Sequence, residues 1–104
     1  MKQKQSATER NHMSRSKFTF VEKDDGLYII SPYDAQKRPR KVIKGWESFS
    51  GWYWFAFEEV ESGLYYGLVQ GFEEELGYFS EEELKSNRRI WEIKKHDLPY
   101  SGRR

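Results

Sequence analysis

The stretch Gly51–Glu58 constrains this chain more than any other. It contains Trp52, Tyr53, Trp54, Phe55, Ala56 and Phe57 without interruption. Side chains alternate across an extended strand, so Trp52, Trp54 and Ala56 fall on one face and Tyr53, Phe55 and Phe57 on the other. Both faces are apolar. Such a strand needs cover on both sides, or cover on one and a ligand on the other. Glu59–Gly63 reads as a five-residue linker that returns the chain along Leu64–Gln70. That linker sets Glu58 opposite Leu64, Ala56 opposite Tyr66, Phe55 opposite Gly67 and Trp54 opposite Leu68. The Phe55 ring then lies over a strand glycine and covers otherwise bare backbone.

Smaller elements surround this hairpin. Lys17–Glu22 alternates as a strand, with Phe18 and Phe20 on one face. Asp24-Asp25-Gly26 suits a tight turn, and Leu27–Ser31 returns from it. Ser31–Pro39 is a charged loop broken by Pro32 and Pro39. Lys41–Trp46 reads as a third strand carrying Val42 and Ile43, Gly71–Gly77 as a connection, and Ile90–Lys94 as a last strand. Ser80 and Glu83 form a capping box, flanked by the staple pair Phe79 and Leu84. Glu81, Glu82 and Glu83 suit the positive end of a helix, and Lys85, Arg88 and Arg89 the negative end. These signals predict a short helix over 81–87.

The expected fold is α+β, mainly β: a twisted antiparallel sheet or small open barrel of five to six strands with one short helix. A chain of 104 residues fits one domain, here 18–100, and its 17% aromatic content can build a core from few strands. Residues 1–17 are polar and read as a disordered basic arm. His12-Met13 is what a cloning site leaves before a start codon, so 1–12 reads as vector-derived. The alternative is a native basic tail that touches nucleic acid. Residues 101–104 form a second basic tail.

The absence of cysteine excludes a disulfide scaffold, a thiolate metal site and a cysteine nucleophile. No apolar run approaches the roughly 18 residues that span a bilayer, and the N-terminus lacks a signal-peptide core. A soluble cytoplasmic protein with no membrane partner is expected.

Residues 52–84 resemble a family catalogued as domain of unknown function 2958. The resemblance rests on Trp54, Glu58, Gly67-Leu68, Gly71, the run Glu75-Leu76-Gly77-Tyr78-Phe79-Ser80, and Glu83-Leu84; Asp97 and Tyr100 echo its ending. It covers about a third of the chain densely and the N-terminal half hardly at all. Members occur in phages, plasmids and other mobile elements and have no assigned activity. The resemblance therefore implies a genomic habitat and a fold nucleus, and transfers no catalytic residue.

Catalytic chemistry finds little footing. The only histidines are His12 and His96, and no nucleophile elbow accompanies them. Glu73-Glu74-Glu75 and Glu81-Glu82-Glu83 are consecutive in a turn and in a helix's first turn, where solvation and the helix dipole explain them better than paired catalytic carboxylates do. No calcium loop, phosphate loop or dinucleotide fingerprint is present. No catalytic residue, metal or cofactor is expected.

Charge, in contrast, is segregated. Residues 37–44 hold five bases and no acid, residues 58–83 nine glutamates and no base, and residues 85–104 seven bases against two acids. Lys37, Arg38, Arg40, Lys41 and Lys44 lead into Trp46 and then Trp52 and Trp54. A basic groove lined by rings holds single-stranded nucleic acid through phosphates and stacked bases. The bland reading is that these rings are core and the bases decorate a loop. The rival function is a protein adaptor or inhibitor that meets a host protein through an acidic edge at Glu73, Glu74 and Glu75.

Overall fold

A computed structural model describes residues 16–94 and Leu98. Residues 1–15 of the expected arm 1–17, the tail 101–104, and His96, Asp97 and Tyr100 lie outside the described residues, whereas Ser16 and Lys17 are described and bond Glu74. Among the described residues eight strands and one short helix follow in order: β1 (Thr19–Lys23), β2 (Gly26–Ile30), β3 (Pro39–Lys41), β4 (Lys44–Ser48), β5 (Tyr53–Glu61), β6 (Leu64–Gln70), β7 (Glu74–Ser80), α1 (Glu81–Lys85) and β8 (Ile90–Ile93). They form two antiparallel sheets, β1-β2-β3 and β7-β6-β5-β4-β8, and no closed barrel.

The alternation of rings in β5 decides the layering. Phe55 packs with Leu68, Leu27, Ile29 and Val42 between the two sheets, joined at the edges by Tyr53 and Phe57. Trp54 and Ala56 pack on the opposite face with Trp46, Tyr65, Phe79 and Leu84, joined by Trp52. The five-stranded sheet therefore carries a core on each side. One is closed by the small sheet, the other by α1. Gly45 in β4 leaves room for Leu98, whose Cδ2 would lie 2.6 Å from a Cβ placed there.

The β5–β6 register differs from the expected one by one residue at Trp54–Ala56 and by two at Glu58. β5 continues to Glu61, and the turn shrinks to Ser62-Gly63, with Gly63 at φ +78°. Irregularities between Ala56 and Glu58, and between Glu59 and Glu61, absorb the additional length. Trp54 pairs with Val69, Phe55 with Leu68, Ala56 with Gly67 and Glu58 with Tyr66. Bulges answer to packing on both faces, which linker length does not reveal. The ring over a glycine is real but belongs elsewhere: a Cβ on Gly71 would sit 2.5 Å from the Trp52 indole.

Two further expectations change. The single strand Lys41–Trp46 is broken at Val42-Ile43. The Val42 N–H donates to the Leu27 carbonyl at 2.9 Å, and the Ile43 N–H to the Ala56 carbonyl at 2.8 Å. Consecutive amides thus serve different sheets, and the chain turns a corner between them. The connection Gly71–Gly77 contains most of an unforeseen strand, β7, because an edge strand pairs on one side only and tolerates outward glutamates. The helix stands, one turn long. Ser80 Oγ accepts the Glu83 N–H at 3.2 Å, and Ser86 closes the other end at Lys85.

Candidate nucleic-acid interface

The basic residues 37–44 do not form a bare cationic surface. Asp34 organises the loop before β3. Its carboxylate accepts the Gln36 N–H at 3.0 Å, the Arg38 N–H at 3.2 Å and the Arg38 Nε at 3.0 Å. The Arg38 guanidinium, then the Gln36 N–H, hold that carboxyl below the usual aspartate range. Lys37 adopts φ +54°, unusual for a side chain-bearing residue. Arg40 stacks over Phe57 at 5.1 Å and Tyr66 at 5.6 Å and pairs with Glu58 at 3.6 Å. Lys41 reaches Asp25 at 3.5 Å. Lys44 lies 3.1 Å from Glu81 and 3.3 Å from the Tyr65 hydroxyl. Four of the five cations therefore already face an acid, and only Lys37 does not.

The tryptophans expected beside those cations are not available to bases. Trp46 is 1% exposed and Trp54 8% exposed, both inside the core under α1. Trp52 is half-buried. The physical reason is the pleat: Trp52 and Phe57 have opposite parity, so Trp52 faces the helix side while Arg40 lies over Phe57 on the small-sheet side. They are also roughly 17 Å apart along the strand. A sheet stands between Arg40 and Trp52, whereas Lys44 shares the helix side with Trp46 and lies 5.7 Å from its buried ring.

Trp52 has other company. A cleft of about 310 Å³ opens beside it, lined by Phe49, Ser50, Trp54, Asn87 and Arg89 among others. Phe72 meets the Trp52 ring edge-on at 5.2 Å. Phe49 is 78% exposed and Phe72 93% exposed. The rim is held by backbone. The Ser48 N–H donates to the Trp52 carbonyl at 2.9 Å, the Phe49 N–H to the Arg89 carbonyl at 2.8 Å, and the Trp52 N–H to Ser48 Oγ at 3.0 Å. Gly51 takes φ +91° in the turn. Asn87 Oδ1 accepts the Arg89 N–H at 2.9 Å, which shapes the approach to β8. Among the described residues, Lys85, Arg88 and Arg89 are exposed and enter no ion pair.

Phe49 and Phe72 were not singled out by the sequence pattern, and Arg89 only as a base at the end of the helix, yet for the two rings a signal existed. Phe49 sits in Ser48-Phe49-Ser50-Gly51 and Phe72 in Gly71-Phe72-Glu73. A large ring inside a polar turn has no core to enter, because turns run over the surface.

The acidic edge is divided. Glu73 and Glu75 are exposed. Glu74 is engaged within the chain: it accepts from Ser16 Oγ, from the Lys17 N–H at 2.9 Å and from Gln70 Nε2 at 2.6 Å. Its carboxylate pins the start of the small sheet to β7. Among the described residues no three His, Cys, Asp or Glu side chains gather as a metal site requires, and no helix is long and apolar enough to cross a membrane. Compared with known proteins, the chain matches no family model, no curated sequence and no solved structure.

Proposed function

We propose that this chain is a non-enzymatic binding module that holds single-stranded nucleic acid at the Phe49–Trp52–Phe72 rim. One observation carries the reading: the exposed Phe49 ring lines a cleft with Trp52 and Arg89, an exposed cation that enters no ion pair among the described residues. Bases stack on such rings whatever their sequence, while Arg88, Arg89 and Lys85 meet phosphates. The interface keeps Trp52 from the basic-aromatic idea and replaces the cations of 37–44. A cytoplasmic setting and a mobile-element origin complete the proposal; the origin rests on the resemblance of residues 52–84 alone.

The test is a titration of the full chain with a short single-stranded oligonucleotide, followed by tryptophan fluorescence. Phe72→Ala is expected to cost about 1–3 kcal/mol of binding, the usual worth of one stacked base. Arg89→Gln should lower the slope of log K against log salt by about 0.7, one phosphate contact on a single strand. Absence of quenching at low salt sinks the proposal. Capture of a host protein that is lost on charge reversal of Glu73 and Glu75 would favour the adaptor instead.

A further inference from the structure

We propose that a second site, on the other face of the large sheet, binds a small amphipathic carboxylate. A groove of about 660 Å³ lies between the loop 31–38 and the five-stranded sheet, with Ile29, Phe57 and Leu76 as its apolar lining and Tyr33, Arg38 and Arg40 also bordering it. That volume falls in the range of small-ligand pockets, which combine apolar walls with a few placed polar groups.

The two guanidiniums are positioned by the fold. Arg40 pairs with Ile29 across β3 and β2, and Ile29 points into the core between the sheets. Arg40 therefore emerges on the same inner side and lays its guanidinium over Phe57. Its acid partner, Glu58, is 3.6 Å away, and its side chain is 45% exposed, which leaves donors for a ligand. Arg38 is held by Asp34 through Nε at 3.0 Å and Nη2 at 3.4 Å, and its side chain is 70% exposed, which leaves Nη1 to a ligand. Asp34 also takes the backbone N–H groups of Gln36 and Arg38, so the loop is set before any ligand arrives.

Charge selects the ligand class. Guanidiniums bind planar oxyanions in a fork, which suits carboxylate and phosphate alike. Asp34 and Glu58 balance the two arginines, so a dianion gains little here and a monoanion with an apolar body fits better. The apolar body rests on Phe57, Leu76 and Ile29, and the carboxylate meets Arg38 and Arg40.

The experiment is an amide-resolved NMR titration of the full chain with 2-naphthoate and, separately, neutral 2-naphthamide. Saturable shifts are expected at Ile29, Ala35, Phe57 and Leu76, with 2-naphthamide at least about tenfold weaker, the worth of one charge-assisted hydrogen bond. The double variant Arg38→Gln/Arg40→Gln should weaken 2-naphthoate about tenfold and leave 2-naphthamide unchanged, which separates lost charge recognition from misfolding. No saturable shifts at these residues, equal affinity for the two compounds, or an unchanged 2-naphthoate affinity in the double variant would each overturn the proposal. Phe72→Ala, on the other face, should leave 2-naphthoate binding intact, so this site and the nucleic-acid interface stand or fall separately.

Discussion

Gly67 and Gly77 face each other across β6 and β7, and only Gly67 is required to be glycine. A Cβ on Gly67 would lie 1.9 Å from the Phe55 carbonyl oxygen and 2.8 Å from the Ala56 Cα. The neighbour is backbone, which cannot rotate away. A Cβ on Gly77 meets nothing within 4 Å.

Gly67→Ala is accordingly expected to destabilise the domain by ~3 kcal/mol, since it strains the central strand pair. Gly77→Ala should be neutral or stabilise by about 0.5 kcal/mol, because alanine restricts the unfolded chain more than glycine. Urea unfolding of both variants checks the pair. Similar midpoints for the two would contradict the packing described here.

Lys44 and Glu81 bring β4 and α1 together through the Tyr65 hydroxyl, which donates to Glu81 Oε1 at 3.2 Å. Burial pushes the Glu81 carboxyl up, but Lys44 outweighs it and the carboxyl sits below the ordinary 4.5. Burial likewise pushes Lys44 down, and its bonds to Glu81 and Tyr65 prevail, so it sits above 10.5. Glu81 therefore contributes stability that is present above its unfolded value and is lost as pH falls through the depressed folded one. Lys44 contributes stability present below its unfolded value and lost as pH rises through the raised folded one. Glu81→Gln should cost about 1–2 kcal/mol at neutral pH and make the acid limb of the stability profile shallower. Thermal melts from pH 3 to 7 measure this; an unaltered acid limb counts against it.

Asp34→Ala should release the loop 31–38 without unfolding the sheets. The Gln36 and Arg38 amides lose their acceptor, and their hydrogen exchange is expected to quicken while that of β5 and β6 stays slow. In the parent chain the same protection should fade as pH falls through the depressed Asp34 value, because the carboxylate is the acceptor. Unchanged exchange at Gln36 and Arg38 would remove Asp34 from its organising role.

Trp46 is buried at 1% exposure, yet its indole Nε1 has no hydrogen-bond partner among the described residues. Trp46→Phe discards that unpaired donor and leaves a smaller ring, two effects of opposite sign. The net change is expected within about 1 kcal/mol, against ~3–5 kcal/mol for Trp46→Ala. Chemical denaturation compares them directly, and a Phe variant as unstable as the Ala variant would mean the indole N–H is satisfied.

Local physics was legible in the sequence. The two-residue period of β5 assigned Trp54 and Ala56 to one face and Phe55 and Phe57 to the other, and both assignments hold. Ser80, Glu83, Phe79 and Leu84 marked the helix start because a cap acts within four residues. Asp24-Asp25 likewise turns the chain between β1 and β2.

What only the tertiary structure decided depends on contacts between residues far apart in sequence. The bulges that set the β5–β6 register answer to packing on two faces at once. The corner at Val42-Ile43 exists because Leu27 and Ala56 each claim an amide, and β7 is a strand because β6 pairs with it. The binding surface follows the same rule. Lys37–Lys44 and the tryptophans are neighbours in sequence, but the pleat sends Arg40 and Trp52 to opposite sides of one sheet. Phe49 and Arg89, distant in the chain, line one cleft with Trp52, and Phe72 packs against the Trp52 ring, because strand pairing brings these turns to one end of the sheet.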